Sequence, residues 1–311
     1  KILMQKEEYL QKIHSALARR KIVNGHAIGR LGQELNIYAS SGVSDDHECT
    51  TTEELLSRLR VGMKVLIREG SSERNLDDLI SGVLTEELEL ENLCFCTDDK
   101  HANDIQQEGH INYNINRSIA LGVPPIQAIK IATLNAAKHF RMEDEFGSIS
   151  PGRYADIIIC DDVTKIQPAA VFFEGKLVAE NGLMVERCEV RSYPEWLKDT
   201  VHLKKTITPE SFRVVAPSRA EATINLIELI PNQIINHWNT ERMPIVDGLI
   251  PADPDRDILK LAVVERYGKT GGIGIGFVKG FTLKRGALAY SMSHDHHNIV
   301  VVGENDTDMA A

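Results

Sequence analysis

The chain has 311 residues, of which 42% are hydrophobic and 26% are charged, which is enough apolar material for two or three domains. Its 35 basic and 45 acidic residues give a formal net charge of -10, which disfavours nucleic acid as a partner because a phosphate backbone would be repelled. No apolar run approaches the roughly 18 residues of a membrane helix, and no signal-peptide core is visible, so we expect no membrane partner and a cytoplasmic location.

The two ends of the sequence resemble cuts inside a larger fold. The chain opens at Lys1 directly with helical periodicity, and it closes on NDTDMAA, where the apolar strand NIVVVG gives way to a helix start. We therefore expect the sequence to be a fragment.

Helical segments alternate with short strand-like runs over the first 141 residues, a pattern typical of βα units around a parallel sheet. The predicted strands cover residues 21–27, 42–48, 63–70 and 93–99. Between them lie helical patterns such as QELNIYASS and TTEELLSRLR, and Thr51 followed by Glu54 predicts a capping box for the latter. Four such units amount to half of an eight-stranded barrel.

The pattern changes after PPIQAIKIATLNAAKHF, which predicts one helix begun by Pro124 and Pro125. The stretches GSISPGRYADIIICDD and VFFEGKLVAENG predict turn-rich strands of a small β unit over residues 142–190. From Arg191 onward, the helix-like EATINLIEL, a glycine-rich stretch and the strand NIVVVG predict a separate α+β domain over 191–311.

Ionisable residues stand at the ends of the predicted strands, where a (β/α)8 barrel carries its functional side chains. His26 and His47, one βα unit apart, are candidate imidazole ligands of one metal, and Asp98 is a candidate carboxylate at the fourth strand. One strand-end histidine alone is more often structural. Three such residues at strand ends favour a metal site.

A family resemblance is carried by the phrases NGHA, SDDHECTT, GMKVLIREGS and LCFCTDDKH, which resemble the bacterial adenine deaminases of the amidohydrolase superfamily in order and spacing. The stretches GSISPGRYADIII and KRGALAYSMSHDHHNIVVVGEND are similar to the same family. The resemblance implies an α/β fold in three parts: the C-terminal half of a TIM-like (β/α)8 barrel over 1–141, a small β-sandwich segment over 142–190, and an incomplete α+β C-terminal domain over 191–311.

The same resemblance implies roles for the strand-end residues. His26 and His47 would be metal ligands of the fifth and sixth barrel strands, and Asp98 the metal-binding and catalytic carboxylate that ends the eighth. The family's HxH pair and its bridging lysine or glutamate have no counterpart in this sequence, so we expect this chain alone to be inactive. The complete enzyme is expected to be a homo-oligomer whose substrate is the small molecule adenine.

The chemistry that the resemblance implies is hydrolysis of adenine to hypoxanthine and ammonia in purine salvage. A pair of divalent metals, Mn²⁺ or Fe²⁺ with Zn²⁺ as the further option, would activate a water for attack on C6 of the ring. Asp98 would take the proton of that water and then deliver it to the ring or to the departing amine.

Further candidate partners adjoin the predicted strand ends: Glu48, Arg68, Glu69, Ser71, Asn75 and Asp99. Four of them surround the third strand end, where they would either read the edge of a purine or form the loop that begins the next helix. Glu48 and Asp99 stand next to predicted ligands, so they would either orient those ligands or cap helices.

The motif SHDHHN, with His294, Asp295 and His297, has the composition of an accessory metal or proton-transfer site, and a surface turn explains it equally well. Two alternatives to adenine deamination remain open. A dihydroorotase-like or hydantoinase-like enzyme would share the strand-end His, His and Asp. A catalytically silent fragment would act only as an assembly module, since half a barrel exposes sheet edges and apolar faces.

Overall fold

The computed structural model describes the chain except for residues 186–190, 217–219 and 295. The chain divides into two compact units, residues 1–188 and residues 189–311. Within the described residues, no helix is both long and apolar enough to cross a bilayer.

The first unit begins with alternating helices and strands. In chain order these are α1 (Glu7–Ala18), α2 (Gly32–Ser40), β1 (Asp45–Asp46), α3 (Thr52–Arg60), β2 (Lys64–Arg68), α4 (Leu76–Thr85), β3 (Leu93–Cys96), α5 (Ala102–Glu108), α6 (Ile111–Leu121), α7 (Pro125–Ala132) and α8 (Leu134–Phe140). The strands form a parallel sheet in the order β1-β2-β3. The predicted strands at 42–48, 63–70 and 93–99 are thereby confirmed.

The predicted strand over 21–27 was wrong: these residues, all of them described, are assigned no strand. One backbone hydrogen bond, from Ser44 N–H to the carbonyl of Val23 (3.0 Å), links the segment to the start of β1. Two of the segment's own amides, those of Gly25 and Ala27, donate to side-chain carboxylates of β1 and not to a neighbouring backbone. Side chains therefore replace the ladder that was expected here.

The start of α3 matches half of the predicted capping box. The Thr51 hydroxyl accepts the Glu54 N–H (3.3 Å), as an N-cap should. The Glu54 carboxylate accepts from the backbone N–H of Thr50 (2.8 Å) and from that of Gly29 (2.7 Å), and so ties the helix to the loop that follows residue 27.

The single helix predicted over 124–140 is interrupted at Thr133, whose φ of -123° and ψ of -84° are not helical. The Thr133 hydroxyl donates to the carbonyl of Ile129 (2.7 Å), a side-chain to backbone bond that commonly accompanies a bend. Two shorter helices, α7 and α8, replace the one expected.

The largest core cluster of the first unit packs β2 and β3 against the helices that flank them. Val65 and Ile67 of β2 and Leu76 and Leu79 of α4 are fully buried within it, and Ile131 of α7 covers the same layer. At about 25 cal/mol per Å² of apolar surface, burying one such side chain contributes roughly 1.5–3 kcal/mol, which fixes the sheet that carries the strand-end residues.

A second sheet follows in the same unit. It consists of β4 (Ile157–Cys160), β5 (Pro168–Phe173), β6 (Lys176–Glu180) and β7 (Leu183–Met184). The strands pair antiparallel in the order β4-β5-β6-β7, which confirms the turn-rich strands predicted for this stretch.

The second unit is built on a six-stranded sheet with the order β12-β13-β10-β11-β8-β9. Its elements are β8 (Glu221–Leu229), β9 (Asn236–Pro244), β10 (Ile258–Val264), β11 (Ile273–Lys279), β12 (Ala287–Tyr290), β13 (Ile299–Gly303) and α9 (Asp306–Ala310). The predicted strand NIVVVG and the helix start after it are confirmed.

The helix-like reading of EATINLIEL was wrong, because this stretch is strand β8. Ile224 and Leu226 are buried, while Thr223, Asn225 and Ile227, which alternate with them, are exposed. That period of two matches a strand with one buried face, whereas a helix would bury residues three or four apart.

Candidate metal-binding site

The candidate site lies at the carboxyl ends of the three parallel strands. His47 and Glu48 follow β1, Arg68 ends β2, and Asp98 comes two residues after β3. The carboxyl ends of parallel strands meet at one edge of a sheet, which is where enzymes with βα units place their functional side chains.

His26 joins this edge from the extended segment beside β1. Its ring lies against the ring of His47, with centroids 4.4 Å apart and planes at 72°. The carboxylate of Glu48 lies beside both rings, 2.8 Å from His26 Nδ1 and 3.8 Å from His47 Nε2. One ligand atom from each of the three residues lies within 4.8 Å of the others.

Two imidazoles and one carboxylate are donors that Zn²⁺, Mn²⁺ and Fe²⁺ accept, so this donor set fits a divalent transition metal. The Glu48 side chain is 5% exposed and that of His47 12%, while that of His26 is 69% exposed. This group of three side chains is therefore fixed on one side and open on the other. The structure brings the two predicted histidines together, and Glu48, expected to stand beside them, lies against both rings.

Asp98 stands next to this group. Its Oδ2 lies 3.7 Å from His47 Nε2 and 3.1 Å from Nη1 of Arg68. Asp98 and Asp99 both have positive φ, 47° and 61°, so the chain makes a left-handed turn directly after β3. Gly70 lies against that turn, and a Cβ there would come within 2.5 Å of the Asp98 carbonyl oxygen.

Arg68 links the carboxylates of the site. Its side chain is 1% exposed, and Nη1 contacts Glu48 Oε2 (3.4 Å) as well as Asp98 Oδ2, while Nη2 donates to Asn75 Oδ1 (3.3 Å). Arg68 Nε has no hydrogen-bond partner among the described residues. One buried guanidinium thus holds two strand-end carboxylates together by charge and by hydrogen bonds.

The remaining candidates around β2 bond within the protein. The Glu69 carboxylate accepts the Leu76 N–H at the start of α4 (3.2 Å) and contacts Arg74 (3.3 Å), and burial raises the pKa of Glu69. The Ser71 hydroxyl accepts the His101 N–H (2.8 Å) and bonds the Asp104 carboxylate of α5. These contacts give both residues a part in shaping the loops after β2 and β3.

The histidine motif of the second unit is described in part. The rings of His294 and His297 lie with centroids 5.2 Å apart, and Asp295 lies outside the described residues. In the described part of the chain, His26, His47 and Glu48 form a group of three metal-binding side chains, and the pair in the second unit belongs to no such group.

Sequence reasoning missed the polar residues buried behind the site. Asp45 and Asp46 of β1 are fully buried, as is Arg58 of α3, and His139 of α8 is 4% exposed. A signal was present in the acidic pair SDD, since consecutive aspartates in a strand place at least one carboxylate on a buried face.

Comparison with protein families assigns most of the chain. The model of the amidohydrolase family matches residues 4–185, which is more than half of the sequence, and this chain belongs to that family. The model described as the adenine deaminase C-terminal domain matches residues 233–311. These matches confirm the resemblance inferred from the sequence and the mixed α/β class.

Individual relatives point the same way. An adenine deaminase of Desulforamulus reducens is 53% identical over 310 residues, 99% of this chain and 52% of the relative. One from Methanothrix thermoacetophila is 40% identical, over 99% of this chain and 52% of its own length. The chain thus spans about half the length of the curated relatives it matches.

Solved structures that resemble this chain include an amidohydrolase from Thermotoga maritima. It is 16% identical with a TM-score of 0.32, and the match covers 58% of this chain and 54% of that one. A β-aspartyl dipeptidase from Fervidobacterium islandicum is 19% identical with a TM-score of 0.37, over 44% of this chain and 38% of that one.

Proposed function

We propose that this chain supplies part of the active site of a metal-dependent adenine deaminase, which hydrolyses adenine to hypoxanthine and ammonia in purine salvage. The observation that carries the proposal is the convergence of His26, His47 and Glu48 at the strand ends, in a chain 53% identical to a protein of that name. Adenine is the small-molecule substrate of this proposal.

The architecture belongs to the same proposal. The parallel strands of residues 1–141 would be part of the C-terminal half of a (β/α)8 barrel, and the sheet of β4–β7 one layer of a small β-sandwich within residues 142–190. Residues 191–311 would be the C-terminal domain, and the enzyme a homo-oligomer. The ligands expected from the first and fourth barrel strands have no counterpart here, so we expect little or no turnover from this chain alone.

The residues that would hold the metal are His26, His47 and Asp98, and the geometry adds Glu48, whose carboxylate lies beside both imidazoles. Mn²⁺ or Fe²⁺ suits this mixture of nitrogen and oxygen donors, and Zn²⁺ fits as well. A bound divalent metal supplies Lewis acidity that turns water into a nucleophile near neutral pH.

Asp98 is proposed to move the proton. Its Oδ2 lies 3.7 Å from His47 Nε2, close enough to the ligand group to accept a proton from the attacking water. Attack forms the C6–O bond of the purine. Asp98 then delivers this proton to the ring or to the amine, the second proton of the water goes to the other of the two, and the C6–N bond breaks as ammonia leaves, without any change in oxidation state.

Arg68 is proposed to hold Asp98 and Glu48 in place. Its guanidinium is buried and turned toward these carboxylates, which favours this role over reading the edge of the purine. Glu69, Ser71 and Asn75 each bond other groups of the protein, and this supports a role in shaping the substrate side of the site. Asp99, whose carbonyl accepts the Ser71 N–H (3.4 Å), belongs to the same loop framework.

The test is adenine turnover followed by ultraviolet absorbance. The natural polypeptide that contains this sequence is loaded with Mn²⁺ and compared with its Asp98→Asn and His47→Ala variants. We expect Asp98→Asn to lower kcat by about 10²–10⁴-fold, because a general acid–base group contributes about that much. His14→Ala, on the exposed face of α1, is the matched control and should keep its activity.

Two results would overturn the proposal. One is Asp98→Asn with unchanged kcat. The other is a metal-loaded protein that leaves adenine untouched but opens hydantoins or dihydroorotate, which would keep the family and replace the substrate.

A further inference from the structure

We propose that His139 and Arg58 are positioning residues that hold His26 in place through the two buried aspartates of β1. This inference rests on the metal site of the proposed function, because it assigns two residues to the geometry of one of its ligands. Neither residue touches the ligand group itself.

The need for such support follows from the backbone of the segment that carries His26. Residues 21–27 are assigned no strand, so the segment lacks the regular ladder that fixes a ligand at a strand end. The His26 side chain is 69% exposed, and its direct contacts are the ring of His47, the carboxylate of Glu48 and the Tyr38 hydroxyl, which accepts the His26 N–H (2.9 Å). The backbone on either side of it, at Gly25 and Ala27, is held by the two aspartates of β1.

Asp45 holds the N-terminal side. Its Oδ1 accepts from Asn24 Nδ2 (2.5 Å) and from the backbone N–H of Gly25 (3.2 Å). Its Oδ2 lies 2.6 Å from Nε2 of His139, which reaches it from α8. The Asp45 side chain is fully buried and that of His139 is 3% exposed, so water does not compete for either group.

Asp46 holds the C-terminal side. Its Oδ1 accepts the N–H of Ala27 (3.0 Å) and that of Glu48 (3.2 Å), so one carboxylate oxygen fixes both chain segments that bring ligands to the site. Its Oδ2 accepts from Nε of Arg58 (2.9 Å), and Arg58 also bonds the carbonyl of Ala27 through Nη2.

His139 and Arg58 stabilise the buried carboxylates of Asp45 and Asp46. A buried carboxylate without a donor or countercharge is strongly disfavoured and tends to rearrange or to take up a proton. Each aspartate directs its Oδ1 toward the segment of His26 and its Oδ2 away from it. His139 donates to Oδ2 of Asp45, and Arg58 donates to Oδ2 of Asp46. The two routes come from different helices, α8 and α3, and so can be broken separately.

The separation of the routes gives a test that needs neither metal nor adenine. Amide hydrogen exchange of Gly25 and Ala27 is measured by NMR in the metal-free chain. We expect His139→Leu to speed exchange at Gly25 by about tenfold or more and to change Ala27 less, because only the Asp45 route loses its donor. Arg58→Met should do the reverse, with the larger change at Ala27.

His139→Gln is the conservative control. The amide nitrogen of glutamine can take the place of Nε2 and donate to Asp45, so this variant should keep the Gly25 amide protected. Asparagine is too short to do so, and His139→Asn serves as the second donor-removing variant if leucine prevents folding.

The link to the ligand is tested by titration with Mn²⁺ alone. We expect His139→Leu to weaken Mn²⁺ binding by about 10- to 100-fold, as loss of an outer partner does at metal sites, and His139→Gln to restore most of it. In a His26→Ala background, His139→Leu should have no further effect. An equal loss in both backgrounds, or identical behaviour of the leucine and glutamine variants, would overturn the inference.

These results separate this inference from the proposed function. If Gly25 and Ala27 respond as expected while adenine is not turned over, the positioning role stands and the substrate is wrong. If adenine is turned over and the exchange rates of both amides are unaffected, the positioning role is wrong and the substrate stands.

Discussion

Replacement of Arg58 by methionine should destabilise the first unit far more than an equivalent change on its surface. Arg58 and Asp46 have no exposed side-chain surface, and Arg58 also donates to the carbonyls of Ala27 and Arg30 (2.7 Å to the latter). Methionine fills much of the same volume but donates to none of these groups. Removing one partner of a buried ion pair costs about 3–5 kcal/mol, because the other charge stays buried without compensation.

The assay is urea unfolding, read with two signals that separate the units. Both tryptophans, Trp196 and Trp238, lie in the second unit, so their fluorescence follows residues 189–311. Helices α1–α8 lie in the first unit, and far-UV circular dichroism reports mainly on them. We expect Arg58→Met to lower the midpoint of the dichroism transition by more than it lowers that of the fluorescence transition.

The matched control is Arg117→Met. Arg117 pairs with Asp77 at the surface of the same unit, where the two side chains are 41% and 52% exposed, and such pairs contribute about 0–1 kcal/mol. In the double variant Arg58→Met with Asp46→Asn, the unpaired buried charge is removed. This variant should therefore recover part of the free energy of unfolding that Arg58→Met loses. If Arg58→Met lowers the free energy of unfolding of the first unit by less than about 1 kcal/mol, as the control does, the reasoning is refuted.

Two further predictions concern a carboxylate in the second unit and a glycine beside the site. Glu265 accepts the backbone N–H groups of Gly271 and Thr270 (both 3.0 Å). These and neighbouring N–H groups lower the pKa of Glu265 from the ordinary 4.5 to about 2. The carboxylate therefore stabilises the fold above pH 4.5, and this contribution is lost as the pH falls toward 2. Glu265→Gln should therefore lower the thermal midpoint reported by tryptophan fluorescence at pH 7 and match the wild type near pH 2; an equal difference at both pH values would contradict this. Gly70→Ala should weaken Mn²⁺ binding and destabilise the first unit by about 1–3 kcal/mol. The reason is that the alanine Cβ would meet the carbonyl oxygens of Asp98 and Thr97 at 2.5 and 2.8 Å. An unchanged crystal structure around Asp98 would show the reasoning to be wrong.

What could be predicted from the sequence was the part that depends on local patterns. The apolar runs of β2 and β3 and the polar residues at their ends gave the parallel sheet, and His26 and His47 do lie side by side. The segment 21–27 looked like a strand because Ile22 and Val23 follow a helical pattern and lead to a histidine. The amides of Gly25 and Ala27 are satisfied by carboxylates about twenty residues further on, which no local pattern reveals.

The framework behind the site depends on contacts that are distant in the chain. His139 meets Asp45 across 94 positions, and Arg58 reaches back 31 positions to the carbonyl of Ala27. A single sequence gives no sign of such pairs, because each residue by itself is compatible with a solvated helix face. The strand β8 was misread for another reason, since alternating Ile and Leu separated by polar residues also satisfies part of a helical pattern over nine residues.

The central claim is that a divalent metal binds at His26 and His47, and paramagnetic broadening by Mn²⁺ tests it most directly. Substoichiometric Mn²⁺ is added to the chain, and the ring signals of its histidines are followed by NMR. We predict that the signals of His26 and His47 broaden first, while those of His14 on α1 stay sharp. Broadening that begins at His294 and His297, or that spreads evenly over all histidines, would contradict it.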